Sequence, residues 1–147
     1  MRFFKYLSLA LVTFVNACSY PVKIHAWNEF QGVPTPVFTA YDPDKADQRP
    51  VYTSIKVYEE KGSCEVPYCP LMWHVEVSKF QSPTHIVYGG FPGLGSSTIQ
   101  SAYPLNKEGH YSLVVSEEGF NGSDSVQGYL PFEITNEGKI REKEMKD

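Results

Sequence analysis

The sequence has little positive charge, few cysteines and no apolar segment long enough to cross a bilayer. Its 147 residues include 13 Lys and Arg against 17 Asp and Glu, a formal net charge of −4. Without an excess of basic residues the chain has no field to hold a polyanion, so we expect no nucleic-acid partner. The apolar run at residues 6–15 is shorter than the roughly 20 residues of a membrane-spanning helix. The chain length favours a single domain.

Motifs for catalysis and metal binding are also missing. The sequence contains no HExxH or HxH pair and no G-x-S-x-G nucleophile motif. The glycine-rich residues 89–97 lack the Lys-Ser/Thr ending of a phosphate-binding loop. Asp42, Asp44 and Asp47 offer carboxylates, but Thr53 stands where an EF-hand needs Glu, which favours a solvated acidic loop. We therefore predict no enzyme activity, no cofactor and no metal site.

The N-terminus, by contrast, has the features of an export signal. Arg2 and Lys5 precede the apolar run, which ends at Val15, and the small residues Val15 and Ala17 suit the −3 and −1 positions of a cleavage site. This order predicts a signal peptide over residues 1–17, with Cys18 as the first mature residue. After its removal 11 basic residues remain against 17 acidic ones, a formal charge of −6.

The segment Val15-Asn16-Ala17-Cys18 resembles the lipobox of bacterial lipoprotein precursors. In that family the cysteine becomes the new N-terminus and carries acyl chains, so the resemblance implies lipidation of Cys18. Ser19 rather than Asp follows, which in lipoproteins of double-membrane bacteria implies sorting to the outer membrane, facing the periplasm. The alternative is an ordinary secreted protein with Cys18 near its mature start.

Cys18, Cys64 and Cys69 are the three cysteines, an odd number for an exported chain. If Cys18 carries lipid, Cys64 and Cys69 remain to pair, and both lie between the two clearest predicted strands. The intervening residues suit a hairpin turn, so we predict a structural disulfide worth about 2 kcal/mol. A metal site or a redox pair is the alternative, although C-x4-C is not the spacing of the usual motifs.

Apolar residues alternate along the mature chain and show no helical period. The alternating segments cover residues 22–27, 51–59, 71–77, 85–88, 98–103, 111–116 and 126–135. About seven short strands separated by turns predict an all-β, two-sheet antiparallel sandwich. We place this domain at residues 37–135, after a tether and first strand over 18–36 and before a charged tail over 136–147. Pro131 predicts that the last strand lies at a sheet edge.

Residues 105–113, which read Leu-Asn-Lys-Glu-Gly-His-Tyr-Ser-Leu, resemble the tyrosine corner of immunoglobulin-like domains. The resemblance implies that Tyr111 hydrogen-bonds back across the preceding turn, with Leu113 in place of the second core cysteine. It also implies that Trp73 is the core Trp of an inner strand. Plain core packing would explain Trp73 and Tyr111 as well, and either interpretation predicts that both are buried.

Function is expected in the loops rather than in the core. The candidate contact loops are residues 42–50, 89–97 and 117–125, and their apolar contact residues are Phe91, Leu94 and Phe120. These features favour a lipid-anchored, non-enzymatic protein of the periplasm and outer membrane that binds a protein or a cell-envelope ligand. A periplasmic inhibitor or immunity-type protein is the alternative, because a charge of −6 could meet a basic hydrolase. An envelope hydrolase with a site assembled across strands is a third hypothesis.

Overall fold

The computed structural model describes residues 20–28, 35–119 and 121–145. Within these residues the chain forms nine β-strands and two single-turn 3₁₀ helices. The helices are Pro43–Lys45 and Lys79–Gln81. The strands are β1 Lys23–Asn28, β2 Pro36–Tyr41, β3 Ser54–Glu59, β4 Leu71–Glu76, β5 His85–Val87, β6 Ser97–Gln100, β7 His110–Glu118, β8 Asp124–Ile134 and β9 Ile140–Glu142.

The strands form two antiparallel sheets, as predicted. The small sheet has the order β1-β2-β5, and the large sheet has the order β6-β4-β3-β7-β8-β9. In the middle of the large sheet, Val57 pairs with Trp73 on one side and with Leu113 on the other. The two-sheet antiparallel sandwich is therefore confirmed. The described residues hold more strands than the sequence suggests, because β2 reads only as a short apolar run and β9 only as charged tail.

The core lies between the two sheets and is built by the alternating side chains. On β7, Tyr111 and Leu113 are fully buried, and on β4 Trp73 is only 1% exposed. The rings of Phe38 in the small sheet and Phe132 in the large sheet meet edge to face, with centroids 5.3 Å apart. Burial of such side chains contributes roughly 1.5–3 kcal/mol each, so the sheets are held together mainly by this layer. The predicted burial of Trp73 and Tyr111 is confirmed.

The strand order is immunoglobulin-like. The first, second and fifth strands form one sheet, while the third, seventh and eighth lie side by side in the other. Before β7, the Asn106 N–H donates to the Tyr111 hydroxyl oxygen at 2.8 Å. This is the tyrosine corner that the sequence predicts. Gly109 is required beside it, because a Cβ at that position would overlap the Tyr111 ring.

Several strand boundaries, one additional strand and one strand position differ from the sequence predictions. The segment predicted over 98–103, for example, is strand only over Ser97–Gln100. β3 begins at Ser54, so residues 51–53 precede it, and residues 140–142 of the expected tail form β9. The prediction that Pro131 marks an edge strand is wrong, since β8 lies between β7 and β9. The Lys143 N–H donates to the Pro131 carbonyl at 2.9 Å, just past the end of β9. Proline is tolerated there because its missing N–H would face the end of a short strand.

Candidate functional site

One continuous part of the chain carries no charged side chain. From residue 80 to residue 106 the sequence has no Asp, Glu, Lys or Arg, although charged residues make up 20% of the chain. This segment contains β5, β6 and the turns between them. Because β5 ends the small sheet and β6 ends the large sheet, the segment forms one side of the sandwich. We call residues 80–106 the uncharged edge.

The uncharged edge exposes five large apolar side chains to solvent. They are Phe80, which is 88% exposed, Phe91 at 69%, Leu94 at 86%, Ile99 at 55% and Tyr103 at 57%. Single exposed apolar residues are common on soluble proteins, whereas several of them along one edge are typical of a contact surface. The two apolar residues that the sequence predicts for this loop, Phe91 and Leu94, both belong to the group.

Tight turns hold the backbone that carries these side chains. The Gly90 N–H donates to the Val87 carbonyl at 2.9 Å, and the Ser96 N–H donates to the Gly93 carbonyl at 3.3 Å. Gly93 has a φ of 124°, a conformation that residues with a Cβ rarely adopt. Phe91 and Leu94 therefore lie on or next to defined turns.

A close approach between two loops brings two of the exposed side chains to one corner. A Cβ built on Gly95 would lie 3.3 Å from the Cβ of Ser78, so the turn at residues 93–96 lies against the 3₁₀ helix Lys79–Gln81. That helix carries Phe80, and the turn carries Leu94. The two most exposed side chains of the uncharged edge thus project from adjacent loops.

Tyr88 links the C-terminal part of the uncharged edge to the core. Its hydroxyl donates to the Tyr103 carbonyl at 2.6 Å, and the Tyr103 N–H donates to the Met72 carbonyl at 3.0 Å. Its ring packs edge to face on Trp73, with centroids 5.4 Å apart. Burial raises the pKa of Tyr88 far above its usual value, so the hydroxyl stays a donor. Tyr103 therefore projects from a backbone that is tied to β4.

The other two predicted contact loops lie at one end of the sandwich. The predicted loop 117–125 is shorter in the structure, because β7 ends at Glu118 and β8 begins at Asp124. Near the end of β7, Glu117 forms an ion pair with Lys79, beside the uncharged edge. From the loop at residues 42–50, the Arg49 guanidinium donates to the Ser82 carbonyl at 3.5 Å. These contacts place both loops next to the Phe80 corner. Phe120, the third predicted contact residue, lies outside the described residues.

Phe80, Ile99 and Tyr103 were not among the predicted contact residues. The sequence signal that could have found them is the length of the charge-free run, not a motif. Charge-free segments are usual inside a core, but this one follows two sheet edges. Only the topology shows that its side chains are exposed.

The acidic loop and the ionisable side chains show no metal-binding arrangement. The Asp42 carboxylate accepts from the Asp44 N–H at 3.0 Å and so caps the first 3₁₀ helix. Across the described ranges, no three His, Cys, Asp or Glu side chains converge. A polar cleft of about 440 Å³ at the other end of the sandwich is lined by His110, Glu133 and Arg141. Glu133 is already paired with both His110 and Arg141, so its carboxylate is not free to hold a ligand.

Cys64 and Cys69 form the predicted disulfide, with their Cα atoms 5.1 Å apart. The hairpin that they close folds over the outer face of the large sheet. There Cys69 packs with Tyr58 and Val114 in a small second apolar cluster. The bridge is therefore structural, since it holds a hairpin on a sheet.

A hydrogen-bonded cluster beneath the hairpin fixes the position of Tyr129. The Glu60 carboxylate accepts from the Ser112 hydroxyl and from the Tyr129 hydroxyl, the latter at 3.1 Å. It also pairs with the Lys143 ammonium at 3.4 Å. Burial raises the pKa of Tyr129, which keeps its hydroxyl protonated as a donor. With three donors already bound, the Glu60 carboxylate has a structural role and is not available as a general base for Ser112.

The first described residue of the chain, Tyr20, packs on this fixed tyrosine. The two ring centroids are 6.2 Å apart. Tyr20 lines two clefts, one of about 420 Å³ towards the hairpin and Val126, the other of about 630 Å³ towards Lys23, Tyr41 and Met145. We call the surface formed by these side chains around Tyr20 the N-terminal face. None of the helices in the described ranges has the length and apolarity to span a membrane.

Comparison with protein-family models, with curated proteins and with solved structures finds no significant match to this chain. The functional proposals therefore depend on the surfaces of the molecule itself, above all on the uncharged edge and the N-terminal face.

Proposed function

We propose that the protein is a lipid-anchored, non-enzymatic binding protein of the bacterial cell envelope. In this proposal Cys18 carries the lipid, the anchor lies in the outer membrane, and the β-sandwich faces the periplasm. The uncharged edge binds a protein partner that offers an apolar patch of its own.

The uncharged edge is the single observation that carries the binding proposal. The centres of protein–protein interfaces are depleted in charged residues and enriched in aromatic ones. Phe80, Phe91 and Tyr103 supply exposed aromatic rings on a surface without formal charge. A strongly charged ligand would find no ionic partner within residues 80–106, so an uncharged surface of a protein is the better match.

The position of the N-terminus supports the anchoring part of the proposal. The Val22 N–H donates to the Gln127 carbonyl on β8 at 2.9 Å, so the chain enters the fold beside β8. Four strand spacings of about 4.8 Å, roughly 19 Å, separate β8 from β6 in the large sheet. An anchor at the N-terminus would therefore leave the uncharged edge free for a partner.

Site-specific photo-cross-linking of the intact lipoprotein in its own membranes tests the proposal. A photoreactive residue replaces Leu94 in one variant and Tyr68, in the disulfide hairpin, in the control variant. The two native side chains are similarly exposed, at 86% and 88%. We expect one discrete cross-linked product from position 94 and none from position 68. Equal products from both positions, or none from position 94, would contradict a partner at the uncharged edge.

A periplasmic inhibitor of a hydrolase is the second candidate, and the Phe80 and Leu94 corner is the observation that favours it. Two apolar side chains on adjacent tight loops could enter the active-site cleft of an enzyme. In this case the purified protein would inhibit a periplasmic hydrolase activity, and Leu94→Asp would abolish the inhibition. Binding without loss of the partner's activity would favour the first candidate.

A further inference from the structure

Very little chain separates the proposed lipid from the folded domain. Tyr20 already packs on Tyr129, and Val22 is only 3% exposed. Cys18 precedes Tyr20 by two residues. Two fully extended residues span at most about 7 Å, so a lipid on Cys18 would lie within roughly that distance of Tyr20. A domain held so closely must touch the surface that holds the lipid.

The side chains around this point suit contact with a lipid surface. Tyr41, Val126 and Met145 are exposed, and Tyr20 is partly buried between the two clefts. Tyrosine is favoured at membrane interfaces, where its ring meets apolar groups and its hydroxyl meets water.

The N-terminal face has more acidic than basic side chains. Lys23 and Lys143 are accompanied by Glu142 and Glu144 in the lining of the larger cleft. Glu142 also lies 3.4 Å from the His25 ring nitrogen. The smaller cleft adds two further glutamates, so the face has no excess of positive charge and does not depend on anionic lipids.

We propose that the N-terminal face rests on the phospholipid surface into which the lipid of Cys18 inserts. This inference depends on the lipid anchor proposed above, since without the anchor nothing brings the face to a membrane. Because a short covalent link joins the domain to the inserted lipid, contact between the N-terminal face and the bilayer is an intramolecular event. Even weak attraction between the face and the lipid is then sufficient to hold the face on the bilayer. The domain then lies with β8 towards the bilayer and with the uncharged edge at the far side of the sandwich.

Spin-label accessibility on vesicle-bound lipoprotein tests the orientation. The full mature chain, with its own N-terminal modification, is reconstituted into phosphatidylethanolamine and phosphatidylglycerol vesicles. A nitroxide is attached to Val126→Cys in one variant and to Ile99→Cys in the other. Both positions are exposed aliphatic residues on strands, Val126 on β8 and Ile99 on β6. Without reductant the Cys64–Cys69 disulfide does not react with the label.

We expect the label at position 126 to collide several-fold more with oxygen, relative to an aqueous nickel complex, than the label at position 99. Replacing phosphatidylglycerol by phosphatidylcholine should not lower this ratio, because the face has no excess of positive charge that anionic lipids would attract. A ten-residue Gly-Ser spacer between Ser19 and Tyr20 should remove the difference while the protein still floats with the vesicles. A difference that survives the spacer would overturn the short link as its cause.

The outcomes separate this inference from the anchor itself. If the protein floats with the vesicles but positions 126 and 99 report the same aqueous environment, the orientation is wrong and the anchor stands. If the protein does not float, the anchor is absent and both proposals fall. Dipolar broadening between labels at position 126 would show that a second copy, not lipid, covers the face.

Discussion

The uncharged edge and the N-terminal face are both exposed and apolar, yet they are built in different ways. No residue of the uncharged edge carries a formal charge, although the Lys79–Glu117 ion pair lies next to Phe80, and the backbone around Leu94 is set by glycine turns. At the N-terminal face Lys23 and Glu142 stand beside Tyr20, which packs on a tyrosine fixed by a hydrogen-bonded cluster. The first surface suits another protein and the second suits the amphipathic surface of a membrane. The exposed fraction of the apolar side chains alone does not distinguish the two surfaces.

The largest effect is expected where both surfaces depend on the same core. Trp73 is buried and carries the ring of Tyr88, which in turn holds Tyr103 in place. Trp73→Ala should lower the free energy of unfolding by about 3–5 kcal/mol, measured by thermal and chemical denaturation. Phe91→Ala and Leu94→Ala should leave the melting temperature nearly unchanged and weaken binding instead. If those two variants unfold as Trp73→Ala does, the uncharged edge is part of the core.

The next effect, on partner binding, distinguishes the aromatic residues of the uncharged edge from aromatic residues that are exposed elsewhere. Phe80 and Tyr68 are both 88% exposed, but only Phe80 belongs to the uncharged edge. Phe80→Asp should weaken partner binding at least about tenfold, because a charge would enter an apolar contact. Tyr68→Asp should have no effect, and both variants should stay within about 0.5 kcal/mol of wild-type stability. Equal loss of binding in the two variants would argue against a localised contact surface.

A third effect, on stability alone, tests the support beneath the N-terminal face. The disulfide hairpin packs on Val114 beside Tyr129, the residue that carries Tyr20. Replacing both cysteines, Cys64→Ser with Cys69→Ser, should reduce stability by about 2 kcal/mol, because a short closed loop is released in the unfolded chain. Cross-linking from position 94 should persist in this double variant. Loss of that cross-link at a temperature where the variant is folded would show that the two surfaces are coupled.

The sequence was sufficient for the sandwich and its core. Alternation located β4 and β7 well, and the turn before Tyr111 identified the tyrosine corner. The sequence does not predict β9, because the pairing of β9 with β8 depends on tertiary contacts and not on the charged residues of β9 itself. The sequence also does not predict the exposure of Phe80 and Ile99. An uncharged segment is typical of a core, and only the order of the strands in the sheets places this segment at an edge. The position of Tyr20 could not be predicted from the sequence, because it depends on a contact with Tyr129, more than a hundred residues further along the chain.

The smallest predicted effect concerns the outer face of the large sheet between the two surfaces. The His74 Nε2 atom is buried and has no hydrogen-bond partner among the described residues. Burial lowers the pKa of His74, and Lys56 lowers it further, against the opposing effect of Glu76 and Asp124. The unfolded chain therefore binds this proton more readily, so stability should fall as the pH drops below the ordinary value of 6.5.

His74→Gln should flatten this pH dependence without changing either apolar surface. Denaturation midpoints of both proteins between neutral and mildly acidic pH measure the effect. Identical pH profiles for the variant and the wild type would mean that His74 contributes nothing to the acid sensitivity.

Carbene footprinting of the protein in its own membranes, compared with the purified mature chain without lipid in detergent-free buffer, measures both surfaces in one experiment. We expect labelling to decrease in the membranes at Tyr20 and Val126 and also along residues 80–103. Tyr68, which lines neither cleft and is exposed to the same extent as Phe80, should be labelled equally in both samples. Protection at both opposite sides of the sandwich would support a molecule held by one face and engaged by the other. Uniform labelling, or protection centred on Tyr68, would contradict it.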